Sequence, residues 1–399
     1  MRNNYAINAT LPGIAKIDLK KWKNWHWQLA NRFDNASKIT EFFPGIGKAE
    51  EKEYEEYRKK YNIGLTPYLL SLIEFDEHGN PKPRDPIWNQ FKYLHSSEMR
   101  GMTDYNGKNV NWEKRTEFPT QIIQHKYPDR AIIRVVDSCF GHCNYCYLTY
   151  RILDRSRKSK TGLGEDIWKN TIRYLRNNPR IKDVLISGGD PLIISNKKLY
   201  RILSDLRSVT SIETIRLNTR ALTFLPYRFD IELISIFKKF RLTVLEVHFS
   251  HPRELTSAVD EVLELFETEG YRPMLLNRCP LLKGVNDSSE ILEKLFTGLY
   301  SRRISPYYLF HYAPYALGRT HYGLSVRKGC ELLLPLRRTI PGPAFPRYCL
   351  FHIDGKQDIP LELKSTPKFK YEMNNGTPVI VFKNWKGNWV KYPDLPYEK

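Results

Sequence analysis

Ala131-Ile-Ile-Arg-Val-Val136-Asp-Ser-Cys139-Phe-Gly-His-Cys143-Asn-Tyr-Cys146 joins a β-branched apolar run to three cysteines within eight residues. The run predicts a strand over 131–136. The cysteines then fall in the loop at its C-terminal end. Cluster iron prefers soft thiolates, and a compact loop can aim three of them at three irons of a [4Fe-4S] cluster. Three ligands leave a fourth iron open to a substrate or cofactor. A four-cysteine electron-transfer cluster has no such vacancy. A chance grouping and a zinc site are the other readings. Structural zinc normally takes four protein ligands, and no second cysteine pair stands nearby. His142 lies inside the loop, where its spacing places it toward solvent rather than on a metal. Cys279, Cys330 and Cys349 are scattered and read as small buried side chains. Six cysteines so distributed do not make a secreted disulfide framework.

Downstream of the cysteines, short apolar runs alternate with helical periodicity. Strands are expected at 131–136, 182–186, 212–217, 243–248, 272–276, 305–310 and 348–353. Helices are expected at 163–178, 197–208, 230–240, 254–268, 287–301 and 326–338. Such alternation implies an α/β fold with a parallel sheet and crossover helices. Six units suggest a partial or open (β/α)6-type barrel, with chemistry at the C-terminal strand ends. Three regions follow: a mainly helical part over 1–120, the barrel over 121–365 and a small extension over 366–399. In the first, one helix holds Trp22, Trp25, Trp27 and Leu29. A charged helix runs near Lys48–Tyr61, and 76–120 reads as an irregular wrap. In the extension, Val379–Phe382 is strand-like and is expected to cap the barrel or mediate assembly.

The chain has 399 residues and a net charge of +19. The start, Met1 to Pro12, lacks a basic segment followed by an apolar run, so no secretory signal is expected. No stretch approaches the ~18 apolar residues of a membrane span. The expectation is a cytoplasmic protein without a membrane partner. The positive charge admits a nucleic acid or another polyanion as partner. It is spread along the whole chain, and no zinc-finger, RNA-recognition or helix-turn-helix signature accompanies it.

Polar residues cluster at later strand ends. Leu185-Ile-Ser-Gly-Gly-Asp190-Pro-Leu follows the second strand. It reads as an ordinary tight turn or as a place where backbone approaches a ligand and Asp190 accepts from an ammonium group. Leu217-Asn218-Thr219-Arg220 ends the third strand, and Glu246-Val-His248-Phe-Ser-His251 the fourth.

The C-x3-C-x2-C loop, with Tyr145 before its last cysteine, resembles that of the radical S-adenosylmethionine superfamily. The resemblance implies a [4Fe-4S] cluster on Cys139, Cys143 and Cys146. It implies S-adenosylmethionine (SAM) bound by Tyr145, Ser187, Gly188, Gly189, Asp190, Asn218, Arg220 and His248. It also implies a 5′-deoxyadenosyl radical that removes hydrogen from substrate, and an external electron donor such as flavodoxin or ferredoxin. More of the chain resembles the lysine 2,3-aminomutase family. The strings are Trp22-Lys-Asn-Trp-His-Trp, Thr66-Pro-Tyr, His125-Lys-Tyr-Pro-Asp-Arg130, Ser187-Gly-Gly-Asp-Pro-Leu192, His248-Phe-Ser-His-Pro252, Leu282-Lys-Gly-Val-Asn-Asp287 and Pro306-Tyr-Tyr308. Members shift an amino group between neighbouring carbons with pyridoxal 5′-phosphate (PLP). A homo-oligomer is expected, and the resemblance places Lys126, Tyr127 and Arg130 at the cofactor's phosphate.

Departures from the family pattern bear on substrate. Aligned without a gap, the cofactor lysine falls on Asp358; Lys356 can serve if the loop shifts. The arginine expected for the substrate carboxylate is Leu148. The two aspartates expected for a lysine side chain are Ala313 and Phe351, and a pocket glutamine is Arg278. A desolvated charge without its partner is costly, so free lysine is not expected to be the substrate. Two readings stay open. One is aminomutase or isomerase chemistry on a different amino compound. The other is a PLP-independent radical enzyme acting on a nucleic acid, a nucleotide or a carrier-bound group.

Overall fold

The computed structural model describes residues 17–34, 52, 55, 56, 64–92, 114–148, 164–313, 316 and 318–395. A curled nine-stranded sheet runs β1 (Ile123–Tyr127), β2 (Arg130–Val136), β3 (Asp183–Gly188), β4 (Thr214–Asn218), β5 (Val244–Val247), β6 (Met274–Pro280), β7 (Ser305–Phe310), β8 (Arg347–His352) and β9 (Gly355–Asp358), in that spatial order. Strands β2 to β8 are parallel. Crossover helices α1 (Glu165–Arg176), α2 (Asn196–Arg207), α3 (Ile231–Lys239), α4 (Ser257–Thr268), α5 (Ser289–Ser301) and α6 (Val326–Leu333) cover the outside. The architecture is the open partial barrel expected from the alternation.

The sheet's outer face is ordinary packing. Ile186, Leu217, Leu245 and Leu309 are fully buried against Leu203, Phe237, Val259 and Leu295 of the helices. Most of the helices start at a side-chain cap, such as Ser195, Asp230, Thr256 and Ser288, which satisfies an otherwise orphaned N–H. The inner face is less usual. Closed barrels of this kind fill their interior with Val, Ile and Leu. Here the inward positions carry Arg216, Glu246 and Arg278. Arg216 reaches Glu246 at 2.6 Å and Asp183 at 2.7 Å, and Arg278 also pairs with Glu246. Glu246 is fully buried, so both arginines supply compensation that water no longer gives.

Several expectations need correction. The segment with Trp22 and Trp25 is two short helices, Leu19–Trp22 and Trp25–Ala30. Asn24 breaks the run because its side chain caps the second helix at Trp27 N, 3.0 Å away. The stretch expected as helix over 326–338 is Val326–Leu333 followed by Leu336–Thr339, interrupted at Pro335, which lacks an N–H. Strands β1 and β9 were not anticipated. Each pairs antiparallel with its neighbour at a sheet edge. The charged helix near Lys48–Tyr61 falls almost wholly outside the described residues. No helix among them is long and apolar enough to cross a membrane.

The C-terminal extension forms an antiparallel sheet of β10 (Phe369–Asn374), β11 (Thr377–Lys383) and β12 (Trp389–Pro393). Phe369, Ile380, Phe382 and Tyr392 join the main core. Asp394 ties this sheet to α6 by accepting from Val326 N at 2.9 Å, and burial pushes its carboxyl up to about 7. An ordinary aspartate titrates near 3.9 when unfolded. Between about pH 4 and 7 the folded chain therefore keeps a proton that the unfolded chain loses. This group's contribution to stability falls as pH rises through that window, by about 4 kcal/mol. Asp394→Asn should remove that slope in urea melts and leave the variant more stable than wild type at pH 8. Parallel pH profiles for the two proteins would count against it.

Candidate active site

The cysteine loop leaves β2 at the C-terminal rim of the barrel. N-terminal segments hold it from outside. Arg32 Nη1 donates to Cys139 O at 3.1 Å, His142 N to Gly64 O at 3.3 Å, and Asn144 N to Gln90 O at 3.1 Å. His142 is only 2% exposed, which corrects the expectation of solvent exposure; the wrap at Gly64 covers it, and burial drives its imidazole down to about 3. Cys139, Cys143 and Cys146 all open onto one cavity of about 210 Å³. Burial pushes the Cys139 thiol well up, with Cys146, Asp190 and Cys143 adding to the effect. Among the described residues, no three His, Cys, Asp or Glu side chains gather closely enough for a single metal ion. A four-iron cluster makes a different demand: three thiolates, each on its own iron. Three thiols around one concavity fit that demand.

β3 is clamped directly to the cluster loop. Gly189 N donates to Val136 O at 2.7 Å and Asp190 N to Ser138 O at 2.8 Å. A Cβ at Gly189 would lie 2.1 Å from Ser138 O, and Gly188 sits at φ +130°, so side chains are excluded at both. The glycines thus let two backbone segments touch. The Asp190 carboxylate accepts from Thr219 Oγ1 (2.7 Å), Arg220 N (2.8 Å) and Leu192 N (3.0 Å). It braces the β3 and β4 rims, and burial pushes it up to about 6.

Arg220 is the hub behind the cluster loop. Its Nη1 donates to Cys143 Sγ at 2.8 Å and to the Tyr145 hydroxyl at 2.6 Å. Its Nη2 donates to Gln90 Oε1 at 2.5 Å and to Glu254 at 3.1 Å. Glu254 is fully buried, and Gln90 Nε2 reaches it at 3.0 Å. The sequence reading missed Gln90 and Glu254. Glu254 had a local signal, since His251-Pro-Arg-Glu254 forms a capping box. Gln90 sits in the irregular wrap and had none. His248 lies within 3.4 Å of the Tyr145 hydroxyl, and burial keeps its imidazole neutral.

All eight residues expected at SAM, together with the three cysteines, line this cavity. Leu148, Ala313, Phe351 and Arg278 line it too. Lys126, Tyr127, Arg130 and Lys356 do not; Lys356 stands beside Phe310, and the other three lie around the β8–β9 hairpin. Lys126 Nζ donates to Ile353 O at 2.6 Å, in the turn between β8 and β9. The Tyr127 hydroxyl meets the Gly355–Lys356 backbone, and the Trp385 ring lies tilted against the Tyr127 ring, centroids 5.4 Å apart. Lys356 Nζ lies 4.5 Å from the Tyr308 ring centre and 5.2 Å from that of Phe310. Its side chain is open to solvent but stands inside the barrel's concave interior, crowded by protein. That crowding, then Arg278, pushes its amine well below the usual lysine range. Asp358 instead pairs with Arg347 at 2.6 Å on the surface. Lys126 also pairs with Glu117 at 3.5 Å and Arg130 with Asp129 at 2.9 Å, so a phosphate would have to share these cations; with the amine of Lys356 and the Tyr127 phenol, the set has the chemistry that PLP needs. A wider open groove of about 830 Å³ outside α4 and α5 carries none of this chemistry.

Known proteins resemble the chain along nearly its whole length. It is 32% identical to L-lysine 2,3-aminomutase of Methanococcus maripaludis, across 95% of this chain and 82% of that one. It is 30% identical to glutamate 2,3-aminomutase of Clostridioides difficile, across 94% and 83%. It is 28% identical to L-lysine 2,3-aminomutase of Clostridium subterminale, across 97% and 88%. No family model matches. Coproporphyrinogen III oxidase from Escherichia coli, a radical SAM enzyme, overlays on 45% of this chain and 44% of its own at TM-score 0.29 and 11% identity, too weak a likeness to bear on either fold or function.

Proposed function

The chain belongs to the lysine 2,3-aminomutase family of radical SAM enzymes, and from that membership we propose that it shifts an amino group on an amino compound other than free lysine, using a [4Fe-4S] cluster on Cys139, Cys143 and Cys146, SAM, and PLP on Lys356. One observation carries the reading. A single barrel holds three thiols on one cavity and, beside Phe310 of that cavity, a lysine amine with its pKa lowered and no carboxylate partner among the described residues. A reduced cluster with SAM supplies a 5′-deoxyadenosyl radical, and PLP supplies a carbonyl for condensation with amino groups.

The chain's own residues do the rest. Gly188 and Gly189 fix the cluster loop against β3. Asp190, Thr219 and Arg220 hold the rim rigid, so the reactive atoms are positioned without reorganisation. Tyr145 and neutral His248 offer hydrogen-bonding groups to the nucleoside side of the cavity. Lys356 Nζ, whose pKa its crowded surroundings lower from the usual lysine value, would be the amine that holds the cofactor by its carbonyl. Phe310, Phe351 and Leu148 give the cavity an apolar wall that would exclude water from the reacting groups. The electron comes from an external donor of the flavodoxin or ferredoxin type.

Purified with PLP present, the wild type should show the visible absorbance of a lysine-bound cofactor, and Lys356→Ala should lose it. No such band in the wild type would sink the PLP part. Turnover of free L-lysine at ordinary aminomutase rates would sink the substrate part. The PLP-independent reading has one feature in its favour. On the terminal sheet Lys370 and Lys383 stand over Trp389 at 5.1 and 5.3 Å, a basic aromatic surface suited to single-stranded nucleic acid. Polynucleotide binding that weakens steeply with salt would support it.

A further inference from the structure

The cavity beside the cysteines has two chemical ends. One is polar, built from Ser187 to Asp190, Asn218 to Arg220 and His248. The other is lined by Tyr147, Leu148, Phe310, Ala313 and Phe351. The Tyr147 and Phe351 rings are 4.9 Å apart and the Phe351 and Phe310 rings 6.1 Å apart, so this end is a continuous aromatic wall. No carboxylate lines it among the described residues. A cationic side chain placed there would have no counter-ion. Among the described residues the one charged side chain lining this end is Arg278.

Arg278 is held firmly. Its Nη1 pairs with Glu246, and its guanidinium carbon lies 5.4 Å from the Phe310 ring centre. Glu246 is also neutralised by Arg216 at 2.6 Å. Arg278 therefore keeps donors for a second anion, in the planar fork that suits a carboxylate. Lys356 Nζ lies 5.2 Å from the same Phe310 ring centre. An amino acid attached through its nitrogen near Lys356 carries its carboxylate two bonds away. Held with that carboxylate toward Arg278, such an amino acid would point its side chain into the aromatic end.

We propose that Arg278 binds the substrate carboxylate, and that the substrate is an amino acid with an uncharged apolar or aromatic side chain seated among Tyr147, Leu148, Phe310 and Phe351. The inference rests on the aminomutase reading of the site. It moves the carboxylate anchor from the cluster loop, where Leu148 stands, to β6. Lysine would have to bury an ammonium group, and glutamate a second carboxylate, without a partner. Both should bind roughly 100-fold more weakly than leucine or phenylalanine.

The test is calorimetric binding to anaerobic, unreduced holoenzyme carrying cluster, SAM and PLP, so no turnover intervenes. Leucine and phenylalanine are compared with lysine, glutamate and the carboxylate-free analogues leucinamide and phenylalaninamide. Wild type should prefer each free acid over its amide by about 30-fold, a charge-assisted pair's worth. Arg278→Gln should erase that preference while amide binding holds, and Arg278→Lys should restore part of it. Equal loss for acids and amides in Arg278→Gln would make the arginine structural and overturn the proposal. The cofactor band at Lys356 is read in the same samples, so two failures separate. Band present with lysine or glutamate preferred overturns this inference alone. Band absent overturns the aminomutase reading and the inference with it.

Discussion

Cys143→Ala should yield a folded protein that assembles no stable [4Fe-4S] cluster and makes 5′-deoxyadenosine only at background. Two thiolates cannot hold three irons, and the fourth iron's open position has meaning only if the other three are fixed. The fold should survive because Arg220, which donates to Cys143 Sγ, keeps its ion pair with Glu254. Iron content, the visible cluster absorbance and circular dichroism together check this. The control is Cys330→Ala. Cys330 is 3% exposed on α6 and packs in the main core, away from the cavity. That variant should keep its iron and lose about 1 kcal/mol from a small cavity. A Cys143→Ala protein that still cleaves SAM would remove the basis of the proposed function.

Arg220→Gln is expected to act on both stability and the cluster. Glu254 is fully buried, and the substitution leaves it without its cation. Breaking a buried pair from one side costs about 3–5 kcal/mol. The cost should fall near the lower end, because Gln90 Nε2 and the Ser250 and His251 N–H groups still donate to Glu254. The second effect is electronic. Hydrogen bonds to cluster sulfur stabilise the more negative, reduced state, so removing the donor at Cys143 should lower the cluster's reduction potential. An EPR-monitored redox titration reads that shift directly, apart from stability. Arg220→Lys keeps the charge but loses the planar fork, and should recover only part of it. An unchanged potential in Arg220→Gln would restrict Arg220 to holding the fold.

The cluster loop and the strand–helix alternation were legible because both are local. Three cysteines in eight residues announce a ligand set before any folding, and apolar periodicity writes each strand and helix in its own segment. The misplaced expectations have equally local causes. Asn24 and Pro335 end helices that an apolar pattern alone would continue. His142 was expected at the surface because its cover, the Gly64 segment, is distant in the chain. Strands β1 and β9 are short edge strands whose pairing, not their composition, makes them strands.

By itself, then, the sequence determined the open barrel, the position of the thiols at its rim and the family frame around them. It also showed which charged residues that frame lacks. Only the tertiary structure decided which distant residues meet. Arg220 meets Gln90 across 130 positions, Arg278 meets Glu246 across 32, and Lys126 meets Ile353 across 227. Lys356 and Asp358 alternate on one face of β9, where Asp358 is taken up by Arg347 at 2.6 Å while the Lys356 amine lies beside Phe310. Such choices belong to topology. Local propensity sets which element a segment forms, but the curling of the sheet sets which inward side chains share one desolvated space, and there an unpaired charge or its partner decides what can bind.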